Sequence, residues 1–176
     1  MFGRSDLVEH IHDTVTQHGV PHGALRLELT ENRLMEDYQA VTPTLLRLNE
    51  IGVEVSIDDF GTGYSSLAYL STLPIAELKI DRSFIRDLGI TAQGPAIVQA
   101  IVALAKALGL RVVAEGVEHL RQQQQLLRLG CSLMQGFMFC RPVAADDLVA
   151  SLRAGELTVA ERGAVLPAAK IGRAHV

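Results

Sequence analysis

The sequence predicts an α/β fold of the (β/α)8 barrel type, present in part, and three observations predict it. Runs that alternate apolar and polar residues recur five times, each followed by a segment of helical period, which makes a parallel sheet with helical crossovers. Each strand keeps one polar face, whereas an open sheet covered on both sides reads as continuous apolar runs. The polar residues Glu28, Asp58, Lys79, Glu115 and Gln135 fall near the C-terminal ends of the five runs, where such barrels carry their active sites. A closed barrel has eight strands and about 250 residues, so five βα units in 176 residues fall short of one.

In order, the first element is a helix: Leu7, Ile11 and Val15 recur at helical spacing, with Ser5 as N-cap and Gly19 as stop before Pro21. Leu25–Glu31 is the first strand, its leucines on one face and Arg26, Glu28 and Thr30 on the other. A helix over Tyr38–Ile51 buries Leu45, Leu46 and Leu48 and ends at Gly52. The strand Val53–Ile57 leads into Asp58-Asp59 and a loop with two glycines, and Leu67, Leu70 and Leu73 mark a short helix that Pro74 ends. Glu77–Asp81 is the third strand. Gly94–Leu108, with Ile97, Ile101, Leu104, Ala105 and Leu108, is the most regular helix. Arg111–Gly116 is the fourth strand and His119–Leu129 a helix whose glutamines 122–125 are expected on a solvated face. Leu133–Gly136 is the fifth strand, and a helix over Ala144–Leu152 precedes a tail without periodicity.

Composition bounds the function. With 48% hydrophobic residues the chain buries one core and is read as one domain. A net charge of −4 without any basic run argues against a nucleic-acid polymer as partner. No 18-residue apolar run and no signal-peptide pattern occurs. Cys131 and Cys140 read as reduced thiols, and a cytoplasmic location is expected.

The adjacent carboxylates Asp58 and Asp59 repel each other and lose hydration on burial, so they need a cation or hydrogen-bond donors. Oxygen ligands at a strand end suit Mg²⁺ or Mn²⁺ better than zinc. The alternative is a solvated turn in which the Asp side chains cap Gly61 and Thr62.

The ten residues from Asp58 to Leu67, Asp-Asp-Phe-Gly-Thr-Gly-Tyr-Ser-Ser-Leu, resemble the signature loop of the EAL domains, bacterial phosphodiesterases that linearise cyclic di-GMP. Glu28-Leu29-Thr30-Glu31, Leu78-Lys79-Ile80-Asp81 and Ala114-Glu115-Gly116-Val117-Glu118 are similar to further motifs of that family, in order. So is Gln135-Gly136-Phe137-Met138-Phe139 with Pro142. The resemblance spans residues 5–153 and implies a TIM-barrel-like EAL domain. The Glu-Ala-Leu tripeptide and the Asn-x-Ser-x-x-Gln strand after it have no counterpart. The chain is therefore expected to begin past the third strand, with residues 1–153 the C-terminal part of an EAL domain and 154–176 an unstructured tail. Ile171–Val176 resembles a translated sequencing adapter. His12-Asp13 is similar to the dipeptide of HD-type phosphodiesterases, but that class needs further His and Asp ligands in a pattern that the other histidines do not supply.

What the resemblance implies is a two-metal site for Mg²⁺ or Mn²⁺. Glu28 and Asp58 would hold one ion, and Asp58 with Asp59 the second. Lys79 would orient the attacking water, and Glu115 would assist the metals or act as base. Gln135, Glu118 and Asp81 would contact substrate. Glu31 would anchor the glycine-rich loop with Gly61, Thr62 and Gly63, and Gly61 to Leu67 would respond to metal and dimer contacts. Taken alone, Lys79 also fits a plain ion pair with Asp81. The implied activity is hydrolysis of cyclic di-GMP to linear pGpG by a full-length homodimeric domain, with room for an upstream sensory or GGDEF domain. A degenerate module that binds cyclic di-GMP or a protein without hydrolysis is the alternative, and an enolase-type barrel a more distant one. With two ligands lacking a counterpart, the chain alone is expected to be inert, to bind divalent ions weakly and to be poorly soluble.

Overall fold

The computed structural model describes residues 6–63, 67–90, 93–155, 157–159 and 165–167. Helix α1 (Leu7–Gln17) leads into strand β1 (Arg26–Thr30), short helix α2 (Glu31–Glu36) and helix α3 (Tyr38–Glu50). Strand β2 (Glu54–Phe60), helix α4 (Leu67–Leu70), strand β3 (Glu77–Ile80), helix α5 (Arg82–Arg86) and helix α6 (Gln93–Ala107) follow. Strand β4 (Arg111–Ala114), helix α7 (Leu120–Arg128), strand β5 (Leu133–Met134) and helix α8 (Ala145–Arg153) complete the α/β part. Strands β1 to β5 form one parallel sheet in the order β1-β2-β3-β4-β5. That order decides the architecture. A doubly wound sheet reverses its order at a switch point, whereas crossovers of one hand between successive neighbours place every helix on the same side. The other side is an inner face, and the fold is a barrel-like arc.

The core lies between the sheet and its helices. Val55, Ile57, Leu78 and Ile80 meet Val41, Leu45 and Leu48 of α3 and Val98, Ile101 and Ala105 of α6 in one cluster. All four residues of β3 are buried, including Glu77 and Lys79, so the polar face is enclosed as well. At the N-terminal ends of the strands a second polar group fills that face. Arg26 donates to Glu54 Oε2 at 2.7 Å and meets Glu77 Oε2 at 3.0 Å, and Arg111 also reaches both carboxylates. Burial would raise the Glu54 pKa, but Arg111 and Arg26 outweigh it and hold the carboxyl below its ordinary value. The more deeply buried Glu77 is pushed up despite the same two arginines.

Several expectations need correction. Asp6, not Ser5, is the N-cap of α1, and Ser5 lies outside the described residues. Leu46 is exposed because the buried stripe of α3 runs through Val41, Leu45 and Leu48, at i, i+4 and i+7. Ile97 is exposed for the same reason, since Val98, Ile101 and Ala105 face the sheet. Strands β1, β3, β4 and β5 end earlier than expected. Thr30 caps α2, its side chain accepting from Arg33 N at 3.4 Å, so Glu31 is helical. Asp81 likewise caps α5, accepting from Ser83 N at 2.9 Å. Gln122 is buried instead of solvated: its Oε1 accepts from Glu118 N and His119 N, and its Nε2 donates to Ile85 O. The tail carries two short antiparallel strands, β6 (Leu157–Val159) and β7 (Val165–Pro167), where no regular structure is expected. Ile171–Val176 lies outside the described residues. No helix among the described residues is long and apolar enough to cross a membrane.

Candidate functional site

Strands β2 and β3 pair as Ser56↔Glu77 and Ile57↔Leu78, yet the next pair is Phe60↔Ile80. Asp58 and Asp59 therefore stand opposite the single residue Lys79, which is a β-bulge. Adjacent side chains of a regular strand point to opposite faces, so the bulge is what brings two consecutive acids together. Asp59 has φ +54°, a left-handed conformation that Asp adopts more readily than most residues. Its amide donates to Asp58 Oδ1 at 3.1 Å, and Thr62 Oγ1 donates to its carbonyl at 2.8 Å. As a result, carboxylate oxygens of Asp58, Asp59 and Glu115 lie within 4.8 Å of one another.

Lys79, 4% exposed, neutralises this group from below. Its Nζ sits 2.7 Å from Glu28 Oε1, 2.7 Å from Glu115 Oε1 and 3.2 Å from Asp58 Oδ1. Burial opposes its charge, but hydrogen bonds to Glu115 and Glu28 outweigh that and hold its pKa above the ordinary lysine value. Burial raises the Glu115 carboxyl beyond what Lys79 takes back. Asp59 is raised too, first by burial and then by the charges of Asp58 and Asp81. Three carboxylates crowded together, with Asp59 and Glu115 raised and all of them oxygen donors, fit a hard divalent cation. Glu28 stands apart from the three, 53% exposed and tied to Lys79.

The loop after β2 is fixed from α2. The buried Glu31 carboxylate accepts from Gly61 N at 2.8 Å and Gly63 N at 3.3 Å. Gly61, at φ +97°, has no room for a side chain: a Cβ there would meet Phe84 at 2.9 Å. Tyr64, Ser65 and Ser66 lie outside the described residues.

A cleft of about 650 Å³ opens over the acids, lined by Asp59, Thr62, Asp81, Glu115, Glu118 and Gln135 among others. Asp81 is engaged with Ser83, which donates from both N and Oγ. Burial pushes the Asp81 carboxyl up, but these bonds outweigh it and hold it below its ordinary value. Lys79 has its contacts with Glu28, Asp58 and Glu115, not the ion pair with Asp81 that the sequence leaves open. His12 and Asp13 are exposed on α1, 3.7 Å apart and outside the acidic group. Sequence reading misses Arg82, which also lines the cleft, gives Phe137 of the Gln-Gly motif no role there, and misses Arg141, whose guanidinium stands 4.6 Å from the Phe137 ring centre. Their only sequence signal is adjacency to the Leu-Lys-Ile-Asp and Gln-Gly motifs.

Comparison with known proteins fits this geometry. The chain is 48% identical over 151 residues to the bifunctional diguanylate cyclase/cyclic di-GMP phosphodiesterase MucR of Pseudomonas aeruginosa, spanning 86% of this chain and 22% of that protein. It is 48% identical over 152 residues to the cyclic di-GMP phosphodiesterase NbdA of the same organism, spanning 86% of this chain and 19% of the other. Among solved structures, the MucR phosphodiesterase in complex with c-di-GMP superposes with a TM-score of 0.80 at 48% identity, over 84% of this chain and 60% of that one. The EAL domain of Mycobacterium smegmatis DcpA gives 0.80 at 43%, over 86% and 68%. A manganese/cy-diGMP complex of Klebsiella pneumoniae BlrP1 gives 0.75 at 34%, over 80% and 36%. The chain thus spans about a fifth of its curated relatives and about three fifths of the MucR structure. The family model described as EAL domain matches residues 1–142, and with that match the chain belongs to the EAL domain family.

Proposed function

We propose that this chain supplies the metal-binding and catalytic face of a phosphodiesterase that opens cyclic di-GMP to linear pGpG. The observation that carries it is the convergence of Asp58, Asp59 and Glu115 on one point beside the buried Lys79. The relatives MucR and NbdA bear that activity in their names, and the manganese complex of BlrP1 supports an ion of this type.

Asp58, Asp59 and Glu115 would hold Mg²⁺ or Mn²⁺, with Glu28 close by through Lys79. Such an ion supplies Lewis acidity toward a phosphate oxygen and the attacking water. Lys79 is a fixed cation, because three carboxylates surround it, and it offsets charge that builds on the phosphate. Glu115 accepts a proton from the water while Lys79 holds its carboxylate in place. Gln135, at the cleft wall, presents an amide that donates to phosphate oxygen or water. Asp81 and Glu118, on the same wall, accept from the N–H groups along a guanine edge.

The test is chromatography of cyclic di-GMP incubated with Mn²⁺ and the complete gene product that carries this chain. Linear pGpG should appear and be lost with Asp59→Asn. Saturable cyclic di-GMP binding with no pGpG formed would replace this reading by a binding-only module.

A further inference from the structure

Past β4 the chain turns through Glu115, Gly116, Val117 and Glu118 before α7 begins at Leu120. Gln122 of α7, 5% exposed, is bonded at both ends of its amide. Its Oε1 accepts from Glu118 N and His119 N, each at 2.9 Å, and its Nε2 donates to Ile85 O at 3.1 Å. We propose that Gln122 is a positioning residue that sets the spacing between Glu118 and Asp81, the two acids offered to a guanine edge. The identity of the base rests on the preceding reading, whereas the hold on Glu118 does not.

The chemistry of this side chain separates positioning from ordinary capping. A bond from the third residue of a helix back to its N-cap amide is one that glutamate provides as well as glutamine. An ionised glutamate has no donor, however, so the bond to Ile85 O needs the amide. Ile85 belongs to α5, which Asp81 caps. Gln122 therefore joins the helix that follows Asp81 to the turn that carries Glu118. On its other side the turn is held from the end of β5. Val117 N donates to Gln135 O at 3.0 Å and Met138 N donates to Val117 O at 3.0 Å. A Cβ on Gly136 would run into the Val117 backbone, so the two segments approach as closely as a glycine allows. Glu118 itself is exposed, and among the described residues its carboxylate makes no hydrogen bond or ion pair. Its direction is therefore set by its backbone, and Gln122 holds that backbone.

Calorimetric binding of cyclic di-GMP in EDTA to the complete gene product that carries this chain tests the proposal through a double-mutant cycle. Gln122→Glu keeps an acceptor for the two amides but loses the donor, and should lower affinity about tenfold. Glu118→Gln should lower it by a similar factor. In the Glu118→Gln background, Gln122→Glu should cost less than about twofold more, because the group it positions is already gone. Gln122→Met, uncharged and of similar volume, should repeat the pattern if circular dichroism shows that Gln122→Glu does not fold. With Mn²⁺, the Gln122 variants should raise KM and leave kcat nearly unchanged, since Glu118 would touch the base and no reacting atom. Additive effects of the two substitutions, or full affinity in both Gln122 variants, would overturn the proposal even where pGpG still forms. A non-additive cycle in a protein that forms no pGpG would support it while removing the catalytic reading.

Discussion

Among the described residues, Lys79 is the cation that Glu28, Asp58 and Glu115 share. Replacing one partner of a buried charge cluster leaves the others uncompensated, at a usual cost of about 3–5 kcal/mol. Glu28 is half exposed, so Lys79→Ala should cost about 3 kcal/mol in chemical denaturation. Mn²⁺ should restore part of that loss, because it neutralises the same carboxylates, and should stabilise the variant more than the parent. Equal stabilisation of both would show that the ion binds elsewhere. Asp59→Asn acts in the opposite sense. It removes a charge crowded by Asp58 and Asp81, so the fold should hold or gain slightly, while Mn²⁺ affinity falls at least about tenfold. Isothermal titration with Mn²⁺ reads this directly.

Between elements, two polar devices hold the strand ends. Glu31 joins α2 to the loop after β2, and Glu31→Ala should loosen that loop without unfolding the chain. Amide exchange at Gly61 and Gly63 should speed up, and unchanged exchange would mean that the loop is held by packing alone. At the opposite strand ends, Glu54→Gln should cost about 1.5–3 kcal/mol through its bonds to Arg26 and Arg111. Glu54 has a depressed value in the folded chain, so its contribution is complete above the unfolded value of 4.5 and is lost as pH falls through the folded one. Glu77 runs the other way, because its raised value makes ionisation costly. The stability gap between parent and Glu54→Gln should therefore close in acid, and a gap constant with pH would exclude this ion pair as its source.

The five strands, their order and the inward polar residues were legible in the sequence, because strand alternation and position of Glu28, Asp58, Lys79, Glu115 and Gln135 are local patterns. The bulge at Asp58-Asp59 was not, since a register shift depends on the partner strand. Helices α2 and α5 were missed because five or six residues carry too little periodicity, although Thr30 and Asp81 announce them as caps. Gln122 was misplaced because a buried glutamine reads as solvated until its partners are known.

For the molecule as a whole, among the described residues β1 pairs only with β2 and β5 only with β4. Edge strands with free backbone groups pair with other chains unless they are covered. The isolated chain should therefore self-associate as its concentration rises, and sedimentation should show this at tens of micromolar. A monodisperse monomer across that range would mean that both edges are shielded. The sequential strand order has a further consequence for how the chain is made. Each strand's partner is the next one to leave the ribosome, with Arg26 and its partner Glu54 only 28 positions apart. Loop closure is then brief at every stage, and the sheet can grow by adding one finished βα unit to the edge left by the last.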